Sequence, residues 1–215
     1  MDKKAYWDKR FQDEGYVWGT QPSQTAEHAA RIFRQNGAKK VLVPGSGYGR
    51  NTKPFSASGF TVTGIEISDI ACEMAREYDP LTTHLQGTAT DMSFLEERFD
   101  AIYCFNVLHL LDEGEREAFV QECTDRLNDG GLLFFTAFSD YDPSRGRGKQ
   151  LGKNTFESRP GRPAHYFSEE TFLYYFRSFA VLETGIVEDP ENHGEGPHTH
   201  VLRYILARKT PAKNI

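Results

Sequence analysis

Short apolar runs alternate along most of the chain with longer stretches in which apolar residues recur every three or four positions. The short runs have the length and the β-branched and aromatic content of buried strands. The periodic stretches between them predict amphipathic helices. Seven runs predict strands, at residues 40–43, 60–66, 84–87, 101–105, 132–136, 179–187 and 201–207.

End signals place the helices between these strands. Ser23, Ser68 and Ser168 stand where an N-cap hydroxyl is favoured, and two acids follow Ser168 at a helix N-terminus that attracts negative charge. Asn36-Gly37 and the segment 128–131 are typical C-terminal stops. Helices are predicted at residues 2–11 and 24–36, after Ser68, at 113–127 and after Ser168.

This order of elements predicts an α/β fold. Alternating strands and helices indicate a parallel sheet with helices on both faces, and the last two strands, which have no helix between them, indicate an antiparallel edge. We therefore predict a doubly wound, Rossmann-like seven-stranded sheet, mostly parallel with an antiparallel C-terminal edge. The single domain divides into an N-terminal helical cap (1–37), a core (38–138), a basic lid-like loop (139–166) and a C-terminal helix with antiparallel strands (167–215).

Composition narrows the class of protein. The 215 residues carry a net charge of −6, which counts against a nucleic-acid partner. No apolar run approaches the ~20 residues that cross a bilayer, and the N-terminus has no secretory signal pattern, so no membrane partner is expected. The three cysteines lack a metal-binding or disulfide spacing and predict reduced thiols in a cytoplasmic protein. Oligomeric state is left open.

A glycine-rich loop, Gly45-Ser46-Gly47-Tyr48-Gly49, follows the first strand. Open α/β sheets bind ligands at this position, where glycines let backbone amides approach the ligand. A dinucleotide fingerprint would place a third glycine at position 50, but Arg50 stands there. Glu66 ends the second strand about 20 residues later, where an acid can accept hydrogen bonds from ribose hydroxyls. A solvated strand-end acid is the alternative.

Five motifs in this order resemble class I S-adenosylmethionine-dependent methyltransferases of the small-molecule type, close to the tellurite-resistance and thiopurine methyltransferase-like groups. The motifs are Val41–Gly49, Gly64–Ser68, Asp91-Met92, Phe99–Cys104 and Leu127–Gly131. The resemblance implies S-adenosylmethionine as cofactor and methyl transfer to a small molecule. It assigns cofactor contacts to Gly45, Ser46, Gly47, Gly49, Glu66, Ile67, Asp91, Met92, Phe105 and Asn106.

Two further features bear on this resemblance. The N-terminal segment Tyr6–Phe11, continuing to Trp18-Gly19, resembles the cap of the same groups and implies that Trp18 lies against the cofactor, with ordinary core packing as the alternative. Val43 stands where many members carry an acid, so the contacts to the cofactor's amino group are open. The resemblance leaves the acceptor open among thiols, halide or chalcogen anions, carboxylates and amines.

His109 is the candidate catalytic residue, because it lies just beyond the fourth strand, where the acceptor should bind. It could act as a base, as a substrate ligand or as a structural residue. Cys104 is expected to be a small buried strand residue rather than a nucleophile. Two other functions remain: a cofactor-binding protein without catalysis, and a nicotinamide-dependent oxidoreductase, which Arg50 and Asp91 disfavour.

Two segments have weaker functional signals. Six basic residues against three acids in the segment 140–165 predict either a mobile lid that favours an anionic acceptor or an ordinary solvated loop. His193, His198 and His200 lie close in sequence, and we expect them to line the acceptor pocket or brace the last strand. We predict no metal site, because no cysteine or acidic cluster accompanies them.

Overall fold

The computed structural model describes residues 2–193 and 196–211. None of the helices in these two ranges is long and apolar enough to cross a bilayer. The helices are α1 (Lys3–Glu14), α2 (Gln24–Gln35), α3 (Lys53–Ser56), α4 (Asp69–Tyr78), α5 (Glu113–Arg126) and α6 (Glu169–Tyr175). The strands are β1 (Lys40–Pro44), β2 (Thr61–Glu66), β3 (Thr83–Gln86), β4 (Phe99–Phe105), β5 (Leu127–Phe138), β6 (Lys149–Gly152), β7 (Thr155–Arg159), β8 (Arg162–His165), β9 (Phe179–His193) and β10 (Gly196–Lys209).

Seven strands form one sheet in the order β3-β2-β1-β4-β5-β10-β9. The first five strands in this order run parallel to one another, and β10 runs antiparallel to both β5 and β9. The order reverses beside β1, which leaves a crevice at the carboxyl ends of β1 and β4 where such sheets bind ligands. The predicted fold, including its antiparallel C-terminal edge, is confirmed.

Strand alternation divides the core between the two faces of the sheet. On β1, Val41 and Val43 pack in a cluster with Phe33 of α2. Leu42, between them, packs on the opposite face in a cluster with Phe119 of α5. Successive side chains of a strand point to opposite faces, so a strand covered by helices on both sides is apolar throughout. This explains why β1, β4 and β5 appear in the sequence as continuous apolar runs.

The ends of some elements differ from the sequence prediction. The segment 128–131, predicted as a turn after α5, belongs to β5, where the register with β4 shifts and Gly130 has a φ of 76°. The irregularity accommodates the glycine and asparagine residues within a strand. Both C-terminal strands are also several residues longer than their apolar runs, because their polar ends continue the ladder towards the site.

The predicted lid-like loop also has a different structure. Most of it folds as a separate antiparallel sheet in the order β6-β7-β8. Nearly all side chains of these three strands are partly or fully exposed, with Ala164 a buried exception. Without a buried face they lack the alternation that identifies a strand. The β7–β8 hairpin packs over the crevice of the main sheet, so the segment covers the crevice with regular structure and not with a loop.

Candidate active site

A cavity of about 370 Å³ opens at the carboxyl ends of β1, β2 and β4. Its walls include α1 with the following aromatic segment, the glycine loop, the end of β2, residues 87–90, the turn after β4 and the β7–β8 hairpin. Nine residues predicted as site residues line it: Trp18, Gly45, Ser46, Gly47, Glu66, Ile67, Phe105, Asn106 and His109. The structure therefore brings most of the predicted set to one place.

The glycine loop presents its backbone to the cavity. Gly45 has a φ of 67°, and a Cβ atom there would lie 2.2 Å from Cγ2 of Val107, so only glycine fits. Gly47 has a φ of 54° and also requires a conformation that suits glycine. Between them, the Ser46 hydroxyl is buried without a hydrogen-bond partner among the described residues. A ligand can approach this backbone closely, and the buried hydroxyl beside it lacks a partner, so the loop suits a polar ligand.

Glu66 is buried behind this loop with its carboxylate fixed. Oε2 accepts a hydrogen bond from the Gly47 amide at 2.9 Å, and Oε1 accepts one from the Ser68 amide at 2.9 Å. Burial raises the pKa of Glu66, while these amide donors act in the opposite direction. The carboxylate thus organises the loop, and each oxygen keeps acceptor capacity for a ligand hydroxyl.

Asn106 holds the turn after β4 in an uncommon conformation. Its φ is 58°, in the left-handed region that few residues other than glycine adopt. Its amide donates to the Thr136 carbonyl at 3.2 Å, and its Oδ1 accepts a hydrogen bond from the Thr136 hydroxyl at 3.1 Å. Such backbone strain often occurs at ligand sites, where the surrounding structure holds it.

His109 lies in a short 3-10 turn (Leu108–Leu110) and is almost fully buried. Its ring stacks on Phe138, with centroids 4.0 Å apart and an angle of 9° between the planes. Nδ1 has no hydrogen-bond partner among the described residues. Burial, followed by the positive charge of Arg162, lowers the pKa of His109 well below its usual value. A neutral imidazole with a free ring nitrogen can accept a proton.

Trp18 belongs to an aromatic cluster that closes one side of the cavity. It stacks on Tyr48, with centroids 6.1 Å apart, and also contacts Phe11 and Trp7. The Tyr48 hydroxyl donates to the Gly19 carbonyl at 2.7 Å and accepts from the Trp18 amide at 3.1 Å. Trp18 therefore packs in this cluster and also lines the cavity, and its contact with the cofactor stays a prediction.

Gly49, Asp91 and Met92 do not line the cavity in the structure. A Cβ on Gly49 would approach the Thr52 hydroxyl to 3.3 Å, so this glycine allows close packing behind the loop. Asp91 is exposed, and its Oδ1 accepts hydrogen bonds from the Ser93 amide and hydroxyl. Met92 is buried in the core. The residues just before them, 87–90, line the cavity instead.

The remaining sequence candidates have ordinary partners. Cys104 is fully buried in β4, and burial raises the pKa of its thiol, as suits a core residue. Atoms of Glu191, His198 and His200 lie within 4.8 Å of one another. Glu191 is paired with Arg50, and His200 with Asp142. His200 lines the cavity, as predicted, whereas the His193 side chain lies outside the described residues.

The sequence prediction included Arg159 and Arg162 only as members of a basic segment that favours an anionic acceptor, and it missed Arg10. Arg10 reaches the cavity from α1, and Arg159 and Arg162 reach it from the β7–β8 hairpin. Arg10 follows Tyr6 by four positions and Trp7 by three, so it lies on the aromatic face of the helix. A charged residue on that face was a signal available in the sequence. The positions of Arg159 and Arg162 depend on a hairpin that the sequence did not reveal.

Comparison with known proteins agrees with this geometry. Residues 42–135 match the family model of a methyltransferase domain. A methyltransferase of Synechocystis sp. described as uncharacterized is 31% identical over 95 residues, which are 44% of this chain and 45% of that protein. The matches to the first three curated relatives span 57%, 45% and 62% of those proteins.

Solved structures share the fold at low identity. The 1,6-didemethyltoxoflavin-N1-methyltransferase of Burkholderia thailandensis, with bound 1,6-didemethyltoxoflavin and S-adenosylhomocysteine, superposes with a TM-score of 0.71 at 18% identity, covering 96% of this chain and 87% of that one. TehB of Haemophilus influenzae superposes with a TM-score of 0.68 at 19% identity, covering 95% and 67%. Residues 42–135 are thus similar to a methyltransferase domain, and these solved structures share the fold of the chain.

Proposed function

We propose that the protein transfers a methyl group from S-adenosylmethionine to a small-molecule acceptor, a thiol or an anion. The observation that carries this proposal is the convergence of Gly45, Gly47, Glu66 and Asn106 on one cavity. A nucleoside with an amino-acid arm needs such a set: a close backbone for the arm and a carboxylate for the ribose. The net charge of −6 supports a small acceptor over a nucleic acid, and the free, buried cysteines support a cytoplasmic location.

The chain's own residues would bind and align the two reactants. Glu66 would accept hydrogen bonds from the ribose, and the loop backbone with Ser46 would hold the amino-acid portion. When bound, S-adenosylmethionine supplies a methyl group whose bond to sulfur breaks, its electron pair staying on sulfur, as an acceptor lone pair bonds to the methyl carbon. Alignment alone accounts for much of the acceleration of such a displacement.

His109 is the proposed catalytic base for an acceptor that arrives protonated. Its unpartnered Nδ1 and lowered pKa give it the neutral form that takes a proton. Asp91 and Met92 enter the proposal only through their backbone neighbours, because the cavity is lined by residues 87–90. Adenine would then lie against this segment, with Ile67 on the adjoining wall.

Isothermal calorimetry with S-adenosylmethionine, S-adenosylhomocysteine and NADH tests the cofactor assignment. We expect the first two to bind and NADH to give no heat of binding. Release of S-adenosylhomocysteine in the presence of small thiols and anions then tests turnover. Binding of NADH alone would contradict the proposal, and cofactor binding without turnover on any acceptor would indicate a protein that binds the cofactor without catalysis.

A further inference from the structure

Arg10 carries a buried positive charge that the protein leaves largely unsatisfied. Its side chain is 5% exposed and lines the cavity, and none of its three guanidinium nitrogens has a hydrogen-bond partner among the described residues. The nearest carboxylate oxygen, on Glu14, lies 3.4 Å from Nε. The guanidinium carbon lies 5.0 Å from the ring centroid of Trp18 and 5.6 Å from that of Trp7. Aromatic faces stabilise the cation but do not use its five donors.

Arg162 adds a second cation to the same wall. Its Nε donates to the Ser158 hydroxyl at 3.1 Å, and no ion pair to a carboxylate is formed within the described residues. Burial and then the charge of Arg10, which lines the same cavity, lower the pKa of Arg162 to about 10. Arg159, beside them, pairs with Glu14 at 3.4 Å. Arg10 and Arg159 thus share the Glu14 carboxylate, and Arg162 has no carboxylate partner among the described residues.

The other acids of the cavity are engaged elsewhere. Glu115 pairs with Lys3, Glu191 pairs with Arg50, and Glu66 accepts from backbone amides. A buried charge whose hydrogen-bond donors lack acceptors is costly, so a protein keeps one mainly where a ligand supplies them. An anion in the cavity would supply the missing acceptors.

We propose that Arg10 and Arg162 form a carboxylate-binding site for the methyl acceptor, a proposal that rests on the methyltransferase function proposed above. The planar fork of arginine matches the two oxygens of a carboxylate. Arg162 also lies near enough to lower the pKa of His109, which puts the anchored end of the acceptor beside the proposed base. The acceptor is thus a small carboxylic acid held by its carboxylate and methylated at another nucleophilic atom.

The test is calorimetry on protein saturated with S-adenosylhomocysteine, using benzoate and its neutral counterpart benzamide as probes. We expect benzoate to bind at least about tenfold more tightly than benzamide. Arg10→Met and Arg162→Met should each abolish this preference. Arg147→Met is the matched control, because Arg147 is exposed in the same basic segment but does not line the cavity, and it should keep the preference.

A second arm distinguishes the acceptor's carboxylate from that of the cofactor. S-adenosylhomocysteine has a carboxylate and 5′-methylthioadenosine does not. Mutation of an arginine that binds the cofactor's carboxylate would therefore lower the affinity for S-adenosylhomocysteine only. We expect both affinities to stay within about twofold in the two variants. A selective loss of S-adenosylhomocysteine affinity would overturn the proposal, as would equal binding of benzoate and benzamide or tighter binding of inorganic phosphate than of benzoate.

Thermal unfolding separates a binding role from a structural one. Because the buried Arg10 guanidinium lacks hydrogen-bond acceptors and shares the Glu14 carboxylate with Arg159, Arg10→Met should unfold at the same or a higher temperature than the wild type. A clear fall in unfolding temperature would mean that Arg10 holds the fold together, which would overturn its assignment as a binding residue. Absence of any S-adenosylhomocysteine binding by the wild type would instead refute the methyltransferase proposal.

Discussion

The Glu66 carboxylate accepts a hydrogen bond from the Gly47 amide at 2.9 Å, which ties the end of β2 to the glycine loop. The two motifs that the sequence shows about 20 residues apart are therefore one structural unit. A carboxylate fixed in this way is preorganised, so a ligand does not have to order it on binding. It also means that Glu66 shapes the loop in addition to facing the ligand.

Substitution of Glu66 should weaken cofactor binding. Glu66→Ala removes a charged hydrogen-bond acceptor, and we expect a loss of ~1–3 kcal/mol in S-adenosylmethionine affinity by calorimetry. Glu66→Gln, which keeps one carbonyl oxygen for the Gly47 amide, should lose less. Glu73→Ala, an exposed change on α4, is the control and should bind normally. Unchanged affinity in Glu66→Ala would show that Glu66 serves only the loop.

The close contact between Gly45 and Val107 predicts a steric effect. Gly45→Ala should destabilise the protein through overpacking, ~1–3 kcal/mol, and through a left-handed backbone, ~1–2 kcal/mol. Gly130→Ala separates the cost of overpacking from the cost of the left-handed backbone. Gly130 has a φ of 76° but open space around its Cα, so only the backbone cost applies there. The double variant Gly45→Ala/Val107→Ala should remove the overpacking term but keep the backbone term. The measurement is urea unfolding, and equal losses for Gly45→Ala and Gly130→Ala would argue against the clash.

The sequence predicted the sheet because its strands are buried on both faces. The apolar runs of β1, β4 and β5 identify themselves without tertiary information, and the ligand crevice follows from their order. The β7–β8 hairpin has no such run, so the sequence indicated a basic segment that favours an anionic acceptor but not which of its arginines reach the cavity. Asp91 shows a different limit of prediction from the sequence. Its segment lies beside the cavity, but the direction of a side chain depends on a local turn, here one stabilised by Ser93.

His109 should govern the chemical step more than cofactor binding. If it is the base, His109→Gln should lower kcat by ~10²–10⁴-fold, because a positioned base contributes about that much. S-adenosylmethionine affinity should stay unchanged. Rates measured against an acceptor found in the screen, together with calorimetry, check both. A variant that loses cofactor affinity and kcat together would indicate that His109 instead supports the site by stacking on Phe138.

The pH dependence of this step follows from the lowered pKa of His109. The imidazole is a base only when neutral, and its pKa in the folded protein lies below the usual value. We therefore expect kcat to hold as pH falls through 6.5, the usual histidine value, and to decline only at lower pH. A pH–rate profile of wild-type protein measures this. A decline centred near pH 6.5 would contradict the buried, neutral assignment.

Asp189 gives the last prediction, on stability rather than activity. Its side chain is 6% exposed, Oδ2 has no hydrogen-bond partner among the described residues, and Oδ1 accepts from the Ser23 hydroxyl at 3.3 Å. Burial and then the nearby Glu191 charge raise the pKa of Asp189 from 3.8 to about 6. The folded protein therefore holds the proton of the Asp189 carboxyl more tightly than the unfolded chain does. The stability that this protonation contributes is complete below pH 3.8 and is lost as pH rises through about 6.

Asp189→Asn removes that dependence and keeps an Oδ1 acceptor for Ser23. By the linkage of about 1.4 kcal/mol for each unit of pKa, the variant should gain up to about 3 kcal/mol in free energy of unfolding over the wild type at pH 7.5. The gain should shrink steadily towards pH 4. Urea unfolding of both proteins across this range measures it, with the surface change Glu170→Gln as control. A gain that does not vary with pH would mean that Asp189 is ionised in the folded protein without cost.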